Sequence, residues 1–259
     1  MSGRRRAWAA GMMVAALALV SGCSGPAATS APTTSASAAP PGNLGTVTDF
    51  ALPDALRNVR LTTSTGATTS IAALKGKIVV LSDVMTLCQE TCPMDTSSLV
   101  DAARAANAAG HQGQVVYLSV TVDPGRDTVP QIAAYRKLFQ PVPANWVVAT
   151  GSAKDIAAIW KDLGVYTEKV PAAKPAPRNW RTGQPLTYDV QHSDALFFLN
   201  PAGHVRFVIQ GTPKTAPSSV PTTLRKFLSD QGRKNLASPD PQAWTPSQAD
   251  QVIDWLLAG

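Results

Sequence analysis

Residues 77–100 read "KIVVLSDVMTLCQETCPMDTSSLV". The first six are a short apolar run rich in β-branched residues, the pattern of a buried strand. From Pro93 the pattern changes. Pro93 suits the first turn of a helix, Asp95 favours the positive end of its dipole, and Gly110 suits the position just past its end. Between strand and helix stand Cys88 and Cys92, two of only three cysteines in 259 residues. They therefore sit at the carboxyl end of a strand and beside a helix N-terminus. That is where α/β folds expose reactive groups.

The same alternation continues outward from this stretch. Residues 114–122, "QVVYLSVTV", form a second buried strand, and residues 145–150 a third. Helices are expected over 126–139, with Pro130 in the first turn, and over 152–164, capped by Ser152. Residues 195–211 read as a hairpin turning on "NPAG". The last helix spans 245–259. It opens on a capping box from Thr245 to Gln248 with Pro246 at its first position, and carries Ala249, Val252, Trp255 and Leu256 on one face. Upstream, Thr-rich strand candidates flank Gly66. The fold class is α/β, a mixed sheet flanked by helices, with a β-hairpin and a C-terminal helix.

The N-terminus bears on the cysteine chemistry. Arg4, Arg5 and Arg6 precede an apolar run of 14 residues, 7–20. That run is too short to span a bilayer core of about 30 Å as a helix, but suits a signal peptide over 1–22. It ends in "LVSGC", which resembles the bacterial lipobox and implies cleavage before Cys23 and acylation of its sulfur. Residues 24–48 hold Ser, Ala, Thr, Pro and Gly with almost nothing to bury, so 23–48 is expected to be a disordered lipidated tether and 49–259 the folded domain. The chain is thus expected at the extracytoplasmic face of the cell membrane, held by its lipid. There thiols tend to oxidise unless a reductant or a metal holds them. Without the three signal arginines the net charge falls from +6 to +3, too weak and scattered to argue for nucleic acid. The chain is expected to work as a monomer.

A helix N-terminus favours thiolate, which is both the nucleophile of disulfide exchange and a soft ligand for Cu(I) or Zn. If 88–92 form a helical turn, their Cα atoms lie about 6 Å apart, close enough to close a disulfide or to aim both sulfurs at one metal. A purely structural disulfide is also open, although so small a loop gains little from it. Of the three histidines, His111 and His204 read as surface loop residues. His192 stands just before a hairpin strand and fits either a structural or a functional role. Met85 and Met94 flank the cysteines and fit core packing or a thioether contact to Cu(I).

Three blocks, in order, resemble the Sco/SenC family of copper-binding proteins: "CQETCP" (88–93), "LSVTVDPGRDTVPQIAAYRKLF" (118–139) and "QHSDALFFLNPAGHV" (191–205). With "ALKGKIVVLS" (73–82), the likeness covers roughly 49–211 and the last helix. It implies a thioredoxin-like fold and one copper ion, Cu(I) or Cu(II), bound by Cys88, Cys92 and His192. It further implies delivery to the CuA subunit of cytochrome c oxidase, with Asp123 and Asp127 ordering loops or hydrogen-bonding around the site. Two thiolates suit Cu(I), and an added imidazole makes the site tolerable for Cu(II). The chain departs from the pattern at "SDVMTL", with Val84 and Met85 where glycine and aromatic residues are usual. Glu90 replaces a common aspartate, and residues 212–244 look inserted. The competing activity is thiol–disulfide exchange by Cys88 and Cys92, which can spare His192. A peroxidase resembling the peroxiredoxins lacks its nearby arginine, since no basic residue lies between Lys77 and Arg104.

Overall fold

The computed structural model describes residues 39–259; the expected signal peptide, Cys23 and the first part of the expected tether lie outside the described residues. The strands are β1 (Thr46–Ala51), β2 (Leu61–Thr63), β3 (Thr68–Thr69), β4 (Ile78–Val84), β5 (Val115–Thr121), β6 (Trp146–Thr150), β7 (Thr167–Pro171), β8 (Tyr188–His192), β9 (Ala195–Leu199) and β10 (His204–Gln210). The helices are α1 (Asp54–Arg57), α2 (Cys92–Ala108), α3 (Val129–Arg136), α4 (Ala153–Asp162), α5 (Thr222–Phe227), α6 (Asp230–Ala237) and α7 (Pro246–Ala258).

Eight strands form one sheet in the order β1-β10-β9-β4-β5-β6-β2-β3. The centre, β4-β5-β6, is parallel, and every other pairing is antiparallel. β4 is buried along its whole length because both faces of the sheet are covered. Ile78 and Val80 face one core, with α2, α3 and α7; Val79 and Leu81 face the other, with α4. Each such aliphatic side chain contributes about 1.5–3 kcal/mol by leaving water. The buried polar groups at the sheet centre are paired: Ser82 Oγ and Ser119 Oγ lie 3.0 Å apart, and Trp146 Nε1 donates to Ser119 Oγ at 3.1 Å.

Most expected elements form. Ser152 Oγ accepts from Asp155 N at 3.1 Å, and the capping box at Thr245 and Gln248 is present. The structure corrects three expectations. Residues 89–91 are bends, so 88–92 do not form a helical turn, and Cys92 itself opens α2. The helix expected over 126–139 is shorter: α3 runs Val129–Arg136, with Thr128 at its N-cap position. Residues 46–48, expected in the tether, belong to β1. Their polar sequence hides a strand whose partner, β10, lies about 155 residues on. Thr48 Oγ1 donates to Val205 O at 2.8 Å, and a Cβ at Gly45 would meet Val208 O at 2.2 Å.

Residues 212–244 fold onto the domain. Val220, Leu224 and Trp244 enter the core beside α2, and Thr215 Oγ1 donates to Met94 O at 3.1 Å. Outside the large sheet, β7 and β8 form a two-stranded antiparallel ribbon that pairs Thr167 with His192. Among the described residues no helix is long and apolar enough to cross a membrane.

Candidate metal centre

The chain leaves β4 at Val84 and turns before reaching Cys88. Thr86 anchors that turn. Its hydroxyl donates to Asp127 Oδ1 at 2.5 Å and its N–H to Oδ2 at 3.3 Å. Trp180 Nε1 donates to its carbonyl at 2.8 Å. Thr121 Oγ1 supplies the Asp127 carboxylate with another donor at 2.6 Å. Burial dominates at Asp127 and pushes its pKa up to about 6, against the opposing pull of these hydrogen bonds.

The far side of the turn is held by the 212–244 segment. Ser229 N donates to Gln89 O at 3.0 Å, and Gln89 Nε2 donates to Phe227 O at 3.0 Å. A Cβ at Gly232 would stand 2.1 Å from Gln89 O, so only glycine permits this approach.

Both cysteines are free thiols and both are buried, Cys88 at 7% exposure and Cys92 at 2%. Their environments differ. Cys88 Sγ accepts from the N–H groups of Glu90 and Cys92, each at 3.5 Å. The Cys92 thiol donates to Cys88, which outweighs burial; with help from His192 and those two N–H groups it lowers the Cys88 pKa. Burial, then the same hydrogen bond seen from the other side, pushes Cys92 well up. The pair is therefore unequal, with Cys88 the more readily ionised of the two.

His192 ends β8, a hundred residues from Cys92, yet its Nε2 lies 3.3 Å from Cys92 Sγ. Its side chain is only 4% exposed. On its other edge, Nδ1 is 3.2 Å from Asp83 Oδ2 and 3.6 Å from Asp194 Oδ1, ion pairs rather than well-formed hydrogen bonds. Asp83 is fixed in turn, its Oδ1 accepting from Ala195 N at 3.0 Å. Burial alone would lower the His192 pKa. The Asp83 and Asp194 carboxylates and the Cys88 sulfur override it and raise the value to about 9.

Asp123 and Asp127 make no hydrogen bond or ion pair to either sulfur or to the imidazole. Asp123 steadies β8 instead: Tyr188 OH donates to its Oδ1 at 2.8 Å, while Arg126 pairs with its carboxylate and stacks 4.0 Å from the Tyr188 ring. The motif around residues 123–127 thus acts at both ends of the site, holding Thr86 on one side and the histidine strand on the other.

Met85, Cys88, Glu90, Tyr166 and His192 line one open cleft of ≈ 460 Å³. Met94 points into the core. His111 pairs with Gln114, and exposed His204 with Asp49. Among the described residues, the group of His, Cys, Asp or Glu donors lying within 4.8 Å of one another is Cys92, His192 and Asp194. Cys88 stands just outside that group, joined to it through its hydrogen bond with Cys92. Reading the sequence alone missed Asp83 and Asp194. A usable signal existed: an aspartate inside the otherwise apolar strand 78–84, and another two residues past the histidine.

Residues 53–228 match the family model described as SCO1/SenC. The chain belongs to the SCO1/SenC family. The match ends at residue 228, so half of the segment read as an insertion falls within the family's span. Among curated relatives, the bovine mitochondrial SCO2 homolog is 33% identical over 132 residues, covering 51% of this chain and 45% of its own length. The human SCO2 homolog is 30% identical over the same length, again 45% of that protein. The chain thus spans about half the length of the curated relatives it matches. Among solved structures, an Aquifex aeolicus protein with a proposed electron-transfer role is 21% identical with a TM-score of 0.50, covering 63% of this chain and 84% of that one. A SCO1/SenC family lipoprotein from Bacillus anthracis is 23% identical, TM-score 0.49, covering 75% and 96%. Arabidopsis thaliana ScoI with copper bound is 24% identical, TM-score 0.44, covering 65% and 88%. The architecture is the thioredoxin-like mixed sheet of this family.

Proposed function

We propose that this chain is a copper carrier at the extracytoplasmic face of the membrane, tethered through a lipid on Cys23. It holds one copper ion through Cys88, Cys92 and His192 for assembly of the CuA centre of cytochrome c oxidase. The observation that carries the reading is the approach of His192 Nε2 to Cys92 Sγ at 3.3 Å across a hundred residues. Two sulfurs and an imidazole form a donor set that accepts soft Cu(I) and tolerates Cu(II). Asp83 stands against the ring nitrogen turned away from Cys92. A carboxylate there orients the imidazole and raises its basicity as a ligand. Membership of the SCO1/SenC family supports the choice of metal.

In the metal-free state the imidazole and Cys92 both hold protons. Binding therefore releases protons, and uptake is favoured as pH rises. The cleft beside Cys88 and His192 gives an acceptor access.

Elemental analysis of the thiol-reduced protein tests this reading. One copper per chain is expected for the wild type, and loss of copper for His192→Ala. Undiminished copper in that variant would overturn the assignment. A specific observation favours a second activity, thiol–disulfide exchange: the unequal thiol pair, with the more readily ionised Cys88 beside the cleft and Cys92 behind it. That activity survives His192→Ala, which separates the two.

A further inference from the structure

Beside His192 lies a mostly buried carboxylate, Asp194, which meets the imidazole Nδ1 at 3.6 Å and the Thr91 side chain. Asp194 Oδ1 is sequestered from solvent and makes no hydrogen bond. An orphaned buried carboxylate oxygen is costly and calls for a partner. Arg and Lys side chains do not supply one: among the described residues no Lys or Arg forms an ion pair with Asp83, Asp95 or Asp194. These three carboxylates line the same small pocket behind the imidazole, and Asp95 Oδ2 is likewise buried without a partner. The basic group that faces Asp83 and Asp194 is His192 Nδ1, at 3.2 and 3.6 Å.

Asp194 is also held in place. Gly211 N donates to its carbonyl at 3.0 Å, so it sits in the short turn joining β8 to β9, two residues from His192. Its carboxylate, one nitrogen of His192 and the Cys92 sulfur lie within 4.8 Å of one another. That is a sulfur, a nitrogen and an oxygen gathered before any ion arrives.

We infer that Asp194 is a metal ligand of this chain, supplying a hard oxygen donor beside Cys92 and His192. The inference rests on the copper reading above and adds one residue to it. Its consequence follows from ligand softness. Two thiolates alone satisfy Cu(I), whereas a carboxylate adds little to Cu(I) and more to Cu(II), which takes nitrogen and oxygen donors in a larger coordination number. Asp194 therefore tilts the site toward Cu(II).

The test uses the full chain with its thiols reduced, given Cu(II) or Cu(I) alone, comparing wild type with Asp194→Asn and Asp194→Glu. Electron paramagnetic resonance of the Cu(II) form and the sulfur-to-copper absorption band report the ligand set directly. Expected for Asp194→Asn are a changed Cu(II) spectrum and a fall in Cu(II) affinity of about tenfold or more, with Cu(I) affinity changed less than about threefold and Asp194→Glu partly restoring the wild-type spectrum. Unchanged Cu(II) spectrum and affinity in Asp194→Asn, with one copper still bound, would overturn the ligand role and leave the copper reading intact. A wild type that binds no copper overturns both. If Asp194→Asn fails to fold, wild-type protein grown on aspartate labelled with carbon-13 at the carboxyl decides the matter. A strong magnetic coupling of that carbon to Cu(II) supports the ligand role, and its absence overturns it.

Discussion

The two halves of the site are built differently. The cysteines leave the innermost strand of an eight-stranded sheet and enter α2, buried on all sides. The histidine rides on a two-stranded ribbon outside that sheet, whose β8 is only half-buried at alternate positions. Core packing determines the first half, and a few polar contacts determine the second: Tyr188 with Asp123, Arg126 with Tyr188, and the carboxylates around the imidazole. A donor set divided in this way keeps a rigid pair of sulfurs and a third ligand on an element able to open locally at lower cost.

The sharpest way to break this comparison is on the rigid side. Cys92→Ser should abolish copper uptake while leaving the fold intact by circular dichroism, an effect larger than the ~10–100-fold that loss of an outer partner costs a metal site. Gly232→Ala comes next. The added methyl must displace the Gln89 backbone or α6, which should destabilise the domain by about 1–3 kcal/mol in urea denaturation. It should also change the alkylation rate of Cys88, although residue 232 touches neither sulfur.

The histidine side gives a pH signature. Its folded pKa, near 9, stands above the ordinary 6.5. The stability contributed by His192 in the metal-free protein is therefore fully present below 6.5 and lost as pH rises through 9. Denaturation midpoints across that window should fall for the wild type more steeply than for His192→Gln; parallel curves would show that the imidazole is not held as drawn. The smallest effect is expected from Tyr188→Phe, about 1 kcal/mol for one hydrogen bond. Amide exchange should quicken in β8 and stay unchanged in β4 and α2. Equal quickening in both would erase the distinction between the two halves.

How much could be read beforehand follows the same division. β4, α2 and the cysteines between them were legible because β4 opens on the apolar run Ile78–Leu81 and a helix start has its own residues, Pro93 and Asp95. The ribbon was not. "TEKVP" and "YDVQH" offer no apolar run, since neither face of the ribbon packs fully on a core. Residues 222–237 were missed for a related reason: α5 and α6 are short and mostly polar, and their buried residues, Leu224, Phe227 and Gly232, are spaced too sparsely to show a period. His192 was reachable through its family likeness. Asp83 and Asp194 left a trace in the sequence, but what they act on became visible only once the fold had brought strand, turn and imidazole together.

The unequal placement of the two sulfurs has a directional consequence. Cys88 and His192 border the cleft, whereas Cys92 does not and is closed off behind them. On the proposed copper reading, an ion seated among them would be open to an acceptor from one side only. Such an acceptor would trade places with residue 88 or 192 at the outset, and residue 92 would be the last to let go.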